Sequence, residues 1–559
     1  MVRQSINPGH AANGQAQERL FAYTADKRSQ RLAVMRSVVF ENDGYLVDNQ
    51  QTWLIPVVGC LKHGEQRVRA HSSYMASVWQ LIQNSGIYAL SSCVSPLLAL
   101  VLTPFLAHRL ERADYGALMV MNTTIVFLAG LTQCGLGIAS FRVYSHKDHA
   151  VLQERQELFG TALQLLLGFS VITVLIMLYV APWLSIVLFH TAAYAMLVRI
   201  AAIDILAQNM TVPVFSWLRA EGRAAVFGLL AFFNVLLNLG ATFLLVGVWQ
   251  MGSRGALLAI GCGYSGVLLC TAPVMSRYLR RRFRVALAGE LLVAGLSMMP
   301  ALLSVWILQL SDRYLLGLSL SLGQTASYAV AYTLGNVLGP LIITPFSLAW
   351  HTAVYIIAKQ DHARDVFRLI FLWYGLFLIF AASILSLVAH DVLLWIFPTE
   401  YTSAAAIIPL IAFSNVCYGL FEVFTVGTLL QQKLSLNLVV LPLTAFLNIL
   451  LNVLFIPIWG VMGAALATLI AYGVLAGCAY YINQCIYPIP FNVGLVSIAL
   501  LVGVCCYGVD LWWGSYVHIE PAWLLSLILP GFYACFLALL GWWATKKRML
   551  WRRRNYSQA

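Results

Sequence analysis

Two pairs of asparagines lie in strongly apolar stretches of the chain, where their chemistry would be hydrogen bonding. Asn448 and Asn452 lie in the run FLNILLNVLFIPIWGVMGAALAT, and Asn234 and Asn238 repeat their spacing roughly 210 residues earlier. Residues at i and i+4 share one face of a helix, and an uncompensated amide in hydrocarbon costs free energy. Each pair is therefore interpreted as a tie between helices, which is the commoner use, or as part of a polar cavity.

Two carboxylates also fall inside apolar segments, where ionisable groups are costly and usually functional. Asp204 lies well away from any predicted loop, whereas Glu422 lies nearer the end of its segment and is expected to be interfacial. Coupling to a proton or sodium gradient is one interpretation of Asp204 and, more weakly, of Glu422. The alternative for Asp204 is a structural role, as a partner of Arg199 or in a hydrogen bond between helices.

The composition indicates that the helices positioning these groups span a membrane. Of 559 residues, 60% are hydrophobic and 10% are charged, and the mean hydropathy of +0.80 excludes a soluble domain. A span needs about 20 apolar residues. About fourteen segments meet this requirement, namely 82–107, 117–140, 159–181, 192–214, 224–247, 255–276, 291–311, 326–348, 367–389, 404–426, 435–457, 461–483, 492–513 and 522–544. The predicted fold is an all-α polytopic membrane protein.

The distribution of Lys and Arg predicts how these spans are oriented. Positive residues concentrate in alternate loops and in the C-terminal tail. The opposite loops contain Arg109, Arg112, Arg199, Arg254 and Arg313. Because Lys and Arg are enriched on the cytoplasmic side, both termini are predicted to be cytoplasmic. The basic run at 277–284 is interpreted as an anchor for anionic lipid headgroups rather than as a nucleic-acid site, since such a run alone is weak evidence.

Composition also divides the chain into segments. Residues 1–80 are polar and contain one short apolar run, Trp53 to Cys60. They are predicted to be a disordered cytoplasmic tail, because this composition cannot build a core. The alternative is that synthesis begins at Met75 and that residues 1–74 are not part of the protein. The remaining predicted segments are an N-terminal lobe (spans 1–6) at 81–276, a basic cytoplasmic linker at 277–290, a C-terminal lobe (spans 7–12) at 291–485, spans 13 and 14 at 486–545, and a basic cytoplasmic tail at 546–559.

The asparagine pairs belong to a longer internal repeat. The other matching positions are Asp114-Tyr115-Gly116 with Ser327-Tyr328-Ala329, Asp204 with Asn415, and Gly255 with Gly463. Six spans lie in each half, and an even number gives both halves the same orientation, related by an axis along the membrane normal. Repeated membrane halves are typical of transporters.

The order of several segments resembles a known family. The segments are SGIYALSSCVSPLLALVLTPFLAHRLERADYG, LRAEGR at 218–223, LLSVWILQLSDRYLLG at 302–317, ASYAVAY at 326–332, FPTEYTSAAAIIPLIA at 397–412, and the run that carries Asn448 and Asn452. Over about residues 80–490 the chain resembles the polysaccharide biosynthesis (O-antigen flippase) family of the multidrug/oligosaccharidyl-lipid/polysaccharide flippase superfamily. The resemblance implies two six-helix lobes around a central cavity, alternating access, and a place in the bacterial inner membrane.

The resemblance also implies a substrate and the cations that would bind it. The substrate would be an oligosaccharide on undecaprenyl pyrophosphate, flipped for lipopolysaccharide or other surface polysaccharide, with a polymerase and glycosyltransferases as expected partners. Arg suits pyrophosphate because its planar fork matches phosphate oxygens. The candidates are Arg142, Arg219 and Arg313, and the spans that face the cavity in the superfamily favour Arg142 and Arg313. Each could instead be an ordinary charge at a helix end, and Asp312 could neutralise Arg313.

Two other classes of function remain open from the sequence. A cation-coupled small-molecule antiporter of the multidrug-extrusion type would share the fold but depend on a few carboxylates and a tight pocket. A membrane enzyme would need a sizeable outer loop, whereas the predicted outer loops are of ordinary connection length and carry no paired carboxylates. The eleven Cys residues are scattered without a C-x-x-C pattern. The chain is therefore predicted to be a transporter and not an enzyme, without a cofactor or metal site.

Overall fold

The structure, a computed structural model, describes residues 96–146, 152–360, 362–433, 436–516 and 531–540. All regular structure in these ranges is helical. The predicted tail at 1–80, with the alternative start at Met75, lies outside the described residues, as do the basic tail at 546–559 and parts of the first and last predicted spans.

The first seven described helices run from residue 96 to residue 279. They are α1 (Pro96–Arg109), α2 (Arg112–Gln133), α3 (Leu136–His146), α4 (Leu152–Phe189), α5 (Ala195–Ala220), α6 (Ala224–Thr242) and α7 (Gly252–Leu279). A 3₁₀ turn at Ala192–Tyr194 precedes α5, and a π-helical turn at Phe243–Val248 extends α6. The second predicted span is bent, because α2 and α3 meet at Cys134 and Gly135, whose φ angles are +47° and +69°.

The next nine described helices run from residue 285 to residue 540. They are α8 (Val285–Ser319), α9 (Leu322–Gly335), α10 (Thr344–Ile357), α11 (Ala363–Ile396), α12 (Ile408–Phe424), α13 (Val426–Leu430), α14 (Asn437–Ile486), α15 (Val493–Tyr516) and α16 (Gly531–Leu540). A π-helical turn at Gly339–Ile343 leads into α10, and a 3₁₀ helix at Thr399–Ala406 leads into α12.

The described helices account for a membrane-spanning bundle. Ten helical stretches are long and apolar enough to cross a membrane. The longest, Leu438–Ile486, has 49 residues and is divided at Gly460, which has non-helical backbone angles. Three shorter apolar helices, Pro96–Arg109, Val493–Val509 and Gly531–Leu540, fall on the first, thirteenth and fourteenth predicted spans. The predicted all-α polytopic fold is confirmed.

Glycine sets the geometry of both matching turns in the repeat. Gly460 has a φ of 57°, in the left-handed region that glycine enters without a steric penalty. Beyond it, Gly463 lies so close to the preceding helix that a Cβ there would be 2.3 Å from the carbonyl oxygen of Phe455. A Cβ on Gly255, the matching residue, would be 2.9 Å from the Cβ of Met251. A larger residue at Gly463 or at Gly255 would force the two segments of its turn apart.

Buried apolar side chains join the described helices in three clusters. One cluster joins α3, α4 and α5 to the start of α8. A second cluster joins α10, α11 and α12 to α14 and α15. The third joins α2 and α5 to α9 and the 3₁₀ helix before α12. Lipid tails are as apolar as these side chains, so the clusters stabilise the bundle through close van der Waals packing rather than through the hydrophobic effect.

Candidate substrate cavity

A cavity of about 360 Å³, here called the arginine cavity, lies beside α1. Its other walls come from α8, from α9 with the following π-helical turn, and from α12 and α14. Its polar lining consists of Gln309, Arg313, Tyr332, Thr333, Asn336, Thr344, Asn415, Tyr418 and Tyr472. Arg313 is the one charged side chain among the described residues that line it, and the volume is within the range of small-ligand sites.

The Arg313 guanidinium is held in this cavity by weak contacts. Its centre lies 4.2 Å from the ring centroid of Tyr332, and its Nη1 donates to the carbonyl of Gln309 at 3.3 Å. The cation–π contact is worth about 0.5–2 kcal/mol, depending on desolvation. Among the described residues no carboxylate forms an ion pair with this guanidinium. Most of its five N–H donors are therefore available to an anion in the cavity.

The adjacent carboxylate of Asp312 is engaged elsewhere. Its Oδ1 accepts the backbone N–H of Arg313 at 2.8 Å, and its Oδ2 accepts the hydroxyl of Tyr328. Both Asp312 and Tyr328 are buried. Asp312 thus holds the backbone of Arg313 in place and forms no ion pair with its side chain, unlike the self-neutralising pair that the sequence allowed.

A second cavity of about 320 Å³, here called the amide cavity, lies between α1, α2, α5, α6 and α7. Its polar lining consists of Thr103, Asn122, Gln208, Asn234, Asn238, Thr242, Tyr264 and Thr333. Asp, Glu, Lys and Arg are absent from the described residues that line it. Ala99 and Thr333 line both cavities, so the two adjoin beneath α1.

The asparagine pairs occupy different environments despite their shared spacing. Asn234 and Asn238 line the amide cavity, where Thr242 donates to Asn238 Oδ1 at 3.2 Å. Both pack against α7 at Gly263, where a Cβ would lie 2.9 Å from the carbonyl oxygen of Asn234. The first pair is therefore both a cavity wall and a close helix contact.

Asn448 and Asn452 are fully buried between helices. Ser311 of α8 donates its hydroxyl to Asn448 Oδ1 at 3.0 Å, and Asn452 Nδ2 donates to the Asn448 carbonyl at 2.9 Å. Neither asparagine is among the described residues that line the two cavities. This pair ties α14 to α8.

Asp204 lies on α5 one turn before Gln208, which lines the amide cavity. It is 2% exposed, and a Cβ on Gly261 of α7 would lie 2.3 Å from its Oδ1. Its buried Oδ2 has no hydrogen-bond partner among the described residues. Arg199 is exposed and forms no ion pair with Asp204. The structure thus does not join Asp204 to Arg199, and it leaves a carboxylate oxygen unused beside a polar cavity.

Glu422, in contrast, is a buried and bonded carboxylate. Its Oε2 accepts the Ser347 hydroxyl of α10 at 2.9 Å, and its backbone carbonyl accepts the indole N–H of Trp350 at 3.2 Å. Only 9% of Glu422 is exposed, so neighbouring helices cover its side chain. It links α12 to α10.

The remaining predicted arginines are not brought together with Arg313. Arg142 of α3 and Arg219 in the last turn of α5 are both exposed. Neither is among the described residues that line the two cavities. Sequence reasoning also missed Asn122 and Gln208, which line the amide cavity. The available signal was an amide side chain inside an apolar span in each case.

Residues from distant parts of the chain close the bundle where α1 meets α2. Arg112 Nη2 donates to Ser327 Oγ at 2.8 Å, and Arg112 Nε lies 3.7 Å from the Glu400 carboxylate. The Arg112 guanidinium lies 5.5 Å from the ring centroid of Tyr401. Burial raises the pKa of Tyr401 to about 12.

The same end is closed by direct contact of two helices. A Cβ on Gly116 of α2 would lie 2.0 Å from the carbonyl oxygen of Leu322 at the start of α9. Tyr115, the preceding residue, packs edge-on against Tyr401 with ring centroids 6.4 Å apart. The helices that carry the corresponding segments of the repeat, α2 and α9, therefore meet here.

Comparison with known proteins agrees with this architecture. Residues 81–351 match the family described as polysaccharide biosynthesis protein. The fold is similar to that of the lipid II flippase MurJ in an inward closed conformation, with a TM-score of 0.64 and 15% identity, covering 82% of this chain and 98% of that chain. No curated protein sequence matches the chain.

Two transporter structures are also similar in fold. The Vibrio cholerae MATE transporter VcmN in the bent form has a TM-score of 0.52 and 14% identity, covering 74% of this chain and 98% of that chain. A MOP superfamily transporter from Pyrococcus furiosus has a TM-score of 0.52 and 14% identity, covering 73% and 95%. The resemblance expected from the sequence is confirmed: residues 81–351 match the polysaccharide biosynthesis protein family, and the described chain has a fold similar to that of the MurJ flippase and the MOP superfamily transporter.

Proposed function

We propose that the protein flips an oligosaccharide linked to undecaprenyl pyrophosphate from the inner to the outer leaflet of the bacterial inner membrane. The observation that carries the proposal is Arg313, a guanidinium without a described carboxylate partner, in a polar cavity among membrane-spanning helices. A guanidinium binds pyrophosphate oxygens through paired hydrogen bonds. Polar head groups otherwise cost several kcal/mol each on entering hydrocarbon.

The closed end of the bundle supports transport by alternating access. The charge distribution predicts that this end, which contains Arg112, faces outward and that both termini are cytoplasmic. The substrate would then enter from the cytoplasmic side, where the exposed Arg142 and Arg219 would meet its pyrophosphate first. Release would require separation of α2 from α9 at the outer end.

The position of Asp204 supports coupling of transport to a proton or sodium gradient. Its unpartnered oxygen lies on α5 one turn before Gln208, which lines the amide cavity, so a change in its ionic state would act on a substrate-facing helix. Glu422 is less suited to this role because it is bonded to Ser347.

Asp204 also supports a second candidate function, a cation-coupled antiporter of small molecules. Such a transporter would use the carboxylate for exchange, and the MATE transporter VcmN shares the fold. Arg313 favours the flippase instead, because its positive charge repels cationic drugs and attracts phosphate.

The proposed flippase would work with other proteins and with lipid. A polysaccharide polymerase and glycosyltransferases would consume and supply its substrate. Within the basic linker, Arg284 pairs with Glu157 at 2.8 Å and Arg281 donates to Gln156 at 2.6 Å. Arg277, Arg280 and Arg282 are exposed and would contact anionic lipid headgroups.

A gene deletion tests the proposed function. We expect the deletion strain to accumulate undecaprenyl-linked repeat units in the cytoplasmic leaflet and to lack surface polymer. The wild-type gene should restore export. Normal surface polymer in a deletion strain without a second copy would contradict the flippase, and loss of drug efflux in that strain would favour the antiporter.

A further inference from the structure

The amide cavity contains hydrogen-bonding groups that the fold does not use. Asn122 of α2 and Gln208 of α5 line it, and both are partly buried. Neither side chain forms a hydrogen bond with another described residue. A primary amide offers two N–H donors and an acceptor oxygen with two lone pairs, so both residues retain this capacity for a ligand.

The next residue on α5 shows what a structural amide looks like in this bundle. Asn209 is fully buried; its Oδ1 accepts from Gln133 at 3.0 Å, and its Nδ2 donates to Ser170 at 3.0 Å. It thereby connects α5 to α2 and α4. Gln208, one residue earlier, faces the cavity instead and makes no such connection. The contrast separates an amide that ties helices from one that is open to a ligand.

The two adjoining cavities also differ in charge. The arginine cavity carries Arg313, whereas the amide cavity is lined by neutral polar and apolar side chains among the described residues. Asp204 lies one turn before Gln208, on the same face of α5. An anionic group bound beside Gln208 would find no cation there and a carboxylate nearby, which is unfavourable.

We propose that the amide cavity is the glycan subsite and that it selects uncharged sugars. This inference rests on the proposed function. Asn122 and Gln208 bind the hydroxyl or acetamido groups of a neutral hexose or N-acetylhexosamine through neutral hydrogen bonds. The pyrophosphate of the same molecule lies against Arg313 in the arginine cavity. The substrate therefore lies across both cavities beneath α1.

Binding measurements on the full-length protein in nanodiscs test this assignment. The probes are undecaprenyl pyrophosphate alone, the same lipid carrying one N-acetylglucosamine, and the same lipid carrying one glucuronic acid. We expect the wild type to bind the N-acetylglucosamine lipid more tightly than the other two. Asn122→Ala and Gln208→Ala should each weaken that binding by about fivefold and leave binding of the sugar-free lipid unchanged.

Two further variants make the measurement specific. Gln360→Ala removes an exposed amide outside both cavities and should change neither affinity. Arg313→Ala should weaken binding of all three lipids. If an alanine variant proves unstable, Asn122→Asp or Gln208→Glu keeps the side-chain size, and each should lose the preference for the N-acetylglucosamine lipid.

The outcomes distinguish this inference from the proposed function. Equal weakening of sugar-free and glycosylated lipid by the Asn122 and Gln208 variants would overturn the glycan subsite, as would no effect on either lipid. Equal wild-type affinity for the neutral and acidic sugars would overturn the selectivity. Failure of the wild type to bind any of the three lipids would instead refute the flippase itself.

Discussion

Arg112 on α2 donates its Nη2 to Ser327 Oγ on α9 across 2.8 Å, although the two residues are 215 positions apart in the chain. Ser327 lies in the segment that corresponds to Asp114-Tyr115-Gly116 in the internal repeat. The helices that carry the matching segments of the two halves are therefore in direct contact. Next to them, Gly116 leaves room for the backbone of Leu322.

Closure of this end should depend on the absence of a side chain at position 116. In Gly116→Ala the new Cβ would lie 2.0 Å from the Leu322 carbonyl oxygen, and backbone atoms cannot move aside cheaply. We expect export of surface polymer to fall about tenfold or more at normal protein levels in the membrane. Gly168→Ala, with nothing within 4 Å, is the control and should export normally. Full export by Gly116→Ala would show that closure tolerates a wider gap.

Replacement of Arg313 should distinguish the contribution of its positive charge from that of its bidentate hydrogen bonding in the arginine cavity. Arg313→Ala is expected to abolish export without loss of protein from the membrane. Arg313→Lys should restore part of it, because lysine keeps the charge but loses the bidentate fork. Export is measured as surface polymer, with Arg254→Ala, an exposed arginine outside both cavities, as the control. Normal export by Arg313→Ala would remove this residue from the substrate site.

Asp204→Asn should uncouple transport from the ion gradient. The substitution keeps the shape and hydrogen-bonding capacity of the side chain but removes its charge. We expect export to persist at a reduced rate and to lose its response to an ionophore that collapses the gradient. Asp391→Asn, at a partly buried carboxylate on α11, should retain the response. An unchanged ionophore response in Asp204→Asn would indicate a structural role.

The two asparagine pairs should differ in their contribution to stability. Asn448→Ala removes the acceptor of the Ser311 hydroxyl between α14 and α8, and such bonds contribute about 0.6 kcal/mol on average in membrane proteins. We therefore expect a drop in unfolding temperature of about 0.5–1 °C in detergent. Asn234→Ala should have a smaller effect, because the Asn234 Nδ2 has no described partner. An equal drop in both variants would mean that the pairs share one structural role.

Reporter fusions should determine the orientation predicted from the charges. Alkaline phosphatase is active only outside the cytoplasm. A fusion after Tyr556 should therefore be inactive, and one in the loop near Pro398 should be active. The reverse pattern would place the Arg112 end of the bundle on the cytoplasmic side and would reverse the proposed direction of access.

The sequence was sufficient to predict the helices and the turns between them. Long apolar runs predicted the spans because hydrocarbon admits only segments whose backbone bonds are internal. The break near Gly460 was readable because proline and glycine interrupt helices. The bend at Cys134 and Gly135 was not anticipated, since it depends on α3 packing against α8, where a Cβ on Gly135 would lie 2.5 Å from the Gly295 carbonyl oxygen.

The cavity was harder to predict because the rotation of each helix is set by its neighbours. Arg142 and Arg313 both lie near predicted span ends, yet only Arg313 lines a described cavity. Asn234 and Asn448 have the same local sequence setting, yet one lines a cavity and the other is buried against Ser311. Asn122 and Gln208 lie on different helices, so no short spacing in the sequence marks them as a pair.

The contact between Arg112 and Ser327 can form only after a delay during synthesis of the chain. Ribosomes add about 5–20 residues per second, so about 10–40 s separate the synthesis of these residues, which are 215 positions apart. During that interval the first helices must remain inserted without their partner at this end. The cluster that joins α3, α4 and α5 has most of its members before residue 220 and is available to hold them. Early helix packing would therefore protect the nascent chain until α9 emerges from the ribosome.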